Sequence, residues 1–130
     1  MKRLIIGICL LAATACLEIN VTAPGPIDQQ VVLPAGGQAS VGGFSLLFEG
    51  VAGDSRCPAD AFCIQGGDAV VEIAVTSAGG TRVVIELHTG DPKPVTHRGL
   101  TIVLVQLAPY PFSSHPIDPK DYRATLRVTR

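Results

Sequence analysis

The run Tyr122–Thr129 alternates without a slip: Tyr122, Ala124, Leu126 and Val128 fall on one side, Arg123, Thr125, Arg127 and Thr129 on the other. A period of two is the pattern of a strand with one buried and one solvated face. Ala69–Thr76 repeats it, with Val71, Ile73 and Val75 against Glu72, Ala74 and Thr76. Thr81–His88 follows, with Val83, Ile85 and Leu87 set against Arg82, Glu86 and His88, and Val84 off the pattern. Ser77-Ala78-Gly79-Gly80 between these two runs has the length of a hairpin connection. Phe44–Glu49 and the short Gln30–Leu33 read as further strands, as does Leu17–Thr22 before Pro24-Gly25-Pro26. Leu100–Ala108 is apolar on both faces, which predicts a central strand covered on both sides or shielded by a loop.

Fourteen Gly and ten Pro punctuate these runs and leave no window with a helical apolar stripe. The expected fold is therefore all-β: an antiparallel two-layer sandwich of about six to eight short strands, immunoglobulin-like in general shape. A small β-barrel is the alternative.

The N-terminus carries an address. Lys2 and Arg3 precede an apolar run, Leu4–Ala15, of twelve residues, too short to span a bilayer comfortably and suited to the core of an export signal. The run ends Leu11-Ala12-Ala13-Thr14-Ala15-Cys16, which resembles a bacterial lipoprotein processing site. That likeness implies cleavage after residue 15, acylation of Cys16, and one domain over residues 16–130. Membrane lipid, reached through the acylated cysteine, would then be a partner, with several acyl chains giving the firm anchoring that one does not. Leu17, rather than Asp, after the cysteine favours the outer membrane, facing the periplasm, in a cell with two membranes. Ala13 stands where Leu is usual, so soluble secretion and an uncleaved anchor are the alternatives.

Beyond residue 15 there are eight basic and eleven acidic side chains, a net charge of −3, with no Trp, which excludes a nucleic-acid reader built on a basic face. Cys9 lies within the signal, leaving Cys57 and Cys63 to pair in an oxidising compartment. Their seven-residue loop makes the crosslink worth roughly 2–3 kcal/mol. C-x5-C is not the spacing of a redox dithiol, and no neighbouring cysteine or histidine run supplies a zinc set.

The most distinctive segment is Asp54-Ser55-Arg56-Cys57-Pro58, followed by Cys63 and Gly66-Gly67. Asp54 is placed to cap turn amides, and Pro58 restricts the chain beside the crosslink. Gly66 or Gly67 supplies a positive φ before the strand at Ala69. Arg56 is placed to pair bidentately with Asp54, Asp60 or Asp68. This pattern resembles a family of small exported bacterial proteins, mostly lipoprotein-type and of unknown function. The likeness continues through Leu107-Ala108-Pro109-Tyr110-Pro111 and Asp121-Tyr122, with Gln65 where the family often has Trp. The resemblance implies export and an all-β domain and confers no activity.

Catalytic signatures are missing: there is no G-x-S-x-G, H-E-x-x-H, P-loop or dinucleotide fingerprint, and no cofactor is expected. Asp118 and Asp121 read as solvated loop acids. A small hydrolase would have to draw on Ser113, Ser114, His115 and Asp118. A metal module would need His88, His97 and His115 to converge. The better surface is Pro109-Tyr110-Pro111-Phe112, where Tyr110 and Phe112 sit in a constrained loop and present apolar area to a partner. The expected role is a lipid-anchored, non-catalytic binding or accessory module that meets an envelope protein or cell-wall component.

Overall fold

The computed structural model describes residues 25–130. Cys16, the export signal and the Leu17–Thr22 run lie outside the described residues. Eight strands form: β1 (Asp28–Pro34), β2 (Gln38–Val41), β3 (Phe44–Asp54), β4 (Ala69–Thr76), β5 (Arg82–His88), β6 (Val95–His97), β7 (Leu100–Ala108) and β8 (Arg123–Thr129). They make two antiparallel four-stranded sheets, ordered β1-β8-β7-β6 and β2-β3-β4-β5. Each sheet keeps two edge strands, so the molecule is a sandwich and not a closed barrel. Its likeness to an immunoglobulin domain stops at two packed sheets. Here β2–β5 form one simple meander and β6–β8 another, where an immunoglobulin domain has Greek-key connections.

The faces follow from the sequence period. Val71, Ile73 and Val75 of β4 are fully buried, as are Leu126 and Val128 of β8. They pack with Leu46, Phe48, Leu100 and Ile102 into one core between the sheets. Each fully buried side chain of this size contributes roughly 1.5–3 kcal/mol.

β7 departs from its expected environment. It is interior to its sheet, but its outer face is only partly covered: Val103 is half-buried and Val105 is 53 % exposed. A bulge between Leu104 and Gln106 interrupts the strand. The extra residue restarts the alternation, so Leu100, Ile102 and Leu104 point inward before it and Leu107 after it. β3 is bulged near Gly50 and Gly53. β2 and β6, four and three residues long, were not legible as strands.

The two ends of the sandwich differ. At one end the connections are tight hairpins: Gly42-Gly43, Ala78–Gly80 and Arg98-Gly99. Gly42 and Gly43 have φ of 57° and 81°, the left-handed pair that a two-residue hairpin turn requires. Ile27 and Arg130 meet at this same end and exchange backbone hydrogen bonds of 3.4 and 2.9 Å. At the other end lie the three long connections: β3–β4, β5–β6 and β7–β8.

Candidate functional site

The loop end is built around Arg56, whose side chain is only 6 % exposed. Its Nε donates to Asp54 Oδ1 at 2.9 Å and its Nη2 to Asp54 Oδ2 at 2.7 Å. Nη1 donates to the Leu107 carbonyl at 2.8 Å, and Nη2 to the Pro109 carbonyl at 3.0 Å. Of the three carboxylates within sequence reach, Asp54 is the partner. Asp60 is held by Ser113, and Asp68 by His88, Thr89 and Gly90. Asp54 also accepts from its own loop, the Arg56 amide, at 3.2 Å, as expected of a turn-capping aspartate.

A link invisible in the sequence completes this node: the Tyr122 hydroxyl donates to Asp54 Oδ2 at 2.9 Å. Burial alone would raise the Asp54 pKa, but the bonds from Arg56 and Tyr122 outweigh it and hold the carboxyl below its ordinary range. Burial, reinforced by the bond to Asp54, pushes Tyr122 up to about 12. Near neutrality the node is thus a charged pair beside a protonated phenol. What the node does in this fold is join the two loops, through the bonds from Arg56 to Leu107 and Pro109.

Cys57 and Cys63 stand at disulfide distance, their Cα atoms 6.0 Å apart. Within the loop, the Ala61 amide closes a turn onto the Pro58 carbonyl at 3.1 Å. The Ala59 amide donates to the Pro111 carbonyl at 2.9 Å, and Ser113 N to Asp60 Oδ1 at 2.9 Å. The crosslinked loop and the proline segment are therefore one joined surface. The glycine that frames the loop is Gly67, not Gly66. A Cβ on Gly67 would lie 1.5 Å from the Ser55 carbonyl oxygen, whereas Gly66 has open space. Neither has the positive φ expected, because close backbone approach, and not turn handedness, demands the glycine here.

Tyr110 is 55 % and Phe112 50 % exposed. The Tyr110 ring packs over the Arg56 guanidinium, with Cζ 5.4 Å from its centroid. The residues that the sequence reading missed are Phe62 and Ile64, on either side of Cys63, both fully exposed. The signal was available: two bulky apolar side chains in a short loop of small and polar residues, with no strand or helix period to bury them. Beside this surface a cavity of about 220 Å³ opens between Pro92 and the bulged part of β7, with Leu104, Leu107 and Tyr110 among its walls.

The three histidines do not converge. His88 ends β5 and binds Asp68, and His115 sits in the proline loop with Ser114 Oγ at 2.8 Å. His97 lies on β6 at the opposite end, paired with Leu100 next to the Arg98-Gly99 hairpin. Strand polarity sends His97 away from the other two, and among the described residues no three His, Cys, Asp or Glu are placed to share a metal ion. The hydrolase set fails in the same way. Asp118 binds the Lys120 amide and ammonium, and Ser113 is held by Asp60, so neither serves a Ser114–His115 pair. No helix among the described residues is long and apolar enough to cross a membrane.

Comparison with protein-family models, with curated proteins and with solved structures found no match.

Proposed function

We propose that this chain is a lipid-anchored envelope protein, fixed through Cys16, that works as a non-catalytic binding module and meets an envelope protein or cell-wall component with its loop end. The supporting observation is the separation of the two ends. The described chain enters at Ile27, on the hairpin end, and β1 carries it seven residues, roughly 20 Å, toward the loop end. Phe62, Ile64, Tyr110 and Phe112 thus stand at the end opposite to Ile27. These four exposed apolar side chains sit on loops held by the Arg56 node and the crosslink, so little conformational entropy is lost when a partner covers them. The resemblance to small exported bacterial proteins agrees with this address.

The test is hydroxyl-radical footprinting of the protein in intact envelopes and after purification, with mass spectrometry of the Cys16 peptide. Protection should be confined to the loop-end side chains, and the Cys16 peptide should carry acyl mass. Equal labelling in both states would remove the binding role, and an unmodified Cys16 in a soluble fraction would remove the anchor.

A further inference from the structure

We propose that the cavity beside Tyr110 binds one N-acetylated sugar residue of a cell-wall glycan; this rests on reading the loop end as the binding surface and names the partner it meets. The cavity, of about 220 Å³, takes its apolar surface from Leu104, Leu107, Pro92 and the ring of Tyr110. Three polar residues complete it, the composition of a small-ligand site. Thr89 is fully engaged in the fold: its hydroxyl accepts from the Ala69 amide at 2.9 Å and donates to Asp68 Oδ1 at 3.3 Å. With the Gly90 amide, which donates to the same oxygen at 2.8 Å, it fixes the Pro92 side of the cavity. Recognition falls to Arg56 and Gln106.

The Arg56 guanidinium carries five N–H groups, of which four go to Asp54, Leu107 and Pro109. The fifth, on Nη1, has no acceptor among the described residues, on a side chain only 6 % exposed. A buried donor left without an acceptor is costly, and a ligand carbonyl entering the cavity satisfies it. Gln106 is exposed, and its side-chain amide bonds to none of the described residues. Its oxygen is placed to accept an N–H. Together the two match an amide, with Arg56 donating to the C=O and Gln106 accepting from the N–H.

Charge and size select among amides. The Arg56 charge is already met by Asp54 at 2.7 Å, so the cavity offers no spare charge to a carboxylate, a phosphate or an ammonium. A cavity of roughly 150 Å³ holds the carbons of one benzene, so this one encloses about nine heavy atoms. An uncharged acetamido group with the adjoining half of a pyranose ring has that size. Its methyl meets the leucines, its amide meets Arg56 and Gln106, and the C–H face of the ring meets Tyr110. A phenyl side chain of a peptide would fill the apolar part and leave both polar groups unanswered. An asparagine or glutamine side chain would answer them and leave the apolar surface bare. The cavity opens to solvent, so a glycan chain continues outside it.

The experiment is saturation-transfer NMR on the full chain, purified in detergent from its producing cells. The probes are N-acetylglucosamine, glucose, and N-acetylphenylalaninamide as a peptide-like amide. N-acetylglucosamine should bind with a Kd on the order of 1 mM and be saturated most strongly at its acetyl methyl. Glucose, which lacks the amide, should bind roughly tenfold more weakly. Gln106→Leu keeps the bulk and removes the amide, and should weaken the N-acetylated sugar about fivefold. Val105→Trp, which fills the cavity from its exposed edge, should abolish binding. Both positions are exposed, and an unchanged Tm shows that each variant keeps the fold. Equal binding of glucose would overturn the acetamido recognition. N-acetylphenylalaninamide bound in place of the sugar would overturn the glycan and make the partner a peptide. Sugar binding indifferent to both substitutions would overturn the site. If no probe binds while the loop end is still protected in intact envelopes, the cavity assignment falls and the loop-end reading stands; with no protection either, both fall.

Discussion

Arg56 grips Asp54 through two parallel hydrogen bonds, of 2.9 and 2.7 Å, although only Ser55 separates them in the chain. So local an ion pair would do little on its own. Its importance comes from the other N–H groups of the same guanidinium, which reach across to Leu107 and Pro109 at the far end of the sequence. A short turn is thereby converted into the joint between two long loops.

Removing one partner leaves the other charge buried and unpaired. Arg56→Ala or Asp54→Asn should cost about 3 kcal/mol, read as a fall in the urea midpoint at unchanged slope. Arg56→Lys should rescue little of this, because an ammonium cannot supply the planar fork that reaches a carboxylate and two carbonyls together. Hydrogen exchange at Tyr110 and Phe112 should quicken in all three variants.

Tyr122 gives the fold an alkaline limit. Its folded pKa of about 12 lies above its ordinary value of 10.0, so the folded state holds this proton more tightly than the unfolded state does. The associated stability is complete below about pH 10 and is lost as pH rises toward 12. Tyr122→Phe should destabilise at pH 7 by about 1–3 kcal/mol, through the bond lost to Asp54. It should also flatten the alkaline fall, which stability curves between these pH values would show.

The Asp68–His88 pair responds at lower pH. The bond from Asp68 raises the His88 pKa above 6.5. Burial opposes ionisation of Asp68, but its bonds from His88, Gly90 and Thr89 prevail and hold it below 3.8. For the histidine, the stabilisation is fully present below pH 6.5 and disappears as pH climbs through the raised value. For the aspartate, it is present above pH 3.8 and disappears as pH falls through the lowered one. An NMR titration should place the His88 midpoint above 6.5, and Asp68→Asn should return it toward that value. A midpoint unmoved by Asp68→Asn would show the pair to be uncoupled.

Arg98 offers a gain. It adopts φ of 48° at the first position of the β6–β7 hairpin, followed by Gly99 at 78°. A left-handed conformation costs an ordinary side chain roughly 1–2 kcal/mol, and asparagine is the residue best suited to this place in the turn. Arg98→Asn should stabilise by about 0.5–1 kcal/mol, visible as a Tm several degrees higher.

The strands with one wet face were legible because burial acts on every second residue: β5 and β8 present the faces that their alternation predicts, and β4 does so except at Ala74, expected on the outer face but buried. β2 and β6 escaped because three or four residues cannot establish a period. The double-faced apolar run of β7 misled because Val103 and Val105 face outward with only partial cover, while the bulge that brings Leu107 to the inner face leaves no mark in a continuous apolar run. At the site, local chemistry identified Arg56, Asp54 and the cysteine pair. The Tyr122 hydroxyl, 68 positions from Asp54, could not be found locally. Residue type alone suggested a histidine cluster, but strand direction decides which histidines share an end, and it sends His97 away from His88 and His115.

Ile27 and Arg130 are bonded neighbours. A short linker between them would close the polypeptide into a ring, which could be reopened in the Ala78–Gly80 turn with every strand and every long loop intact. For the same reason the sandwich could be spliced whole into an exposed turn of an unrelated carrier. Entry and exit would then share one doorway, and the Phe62 face would project clear of its host.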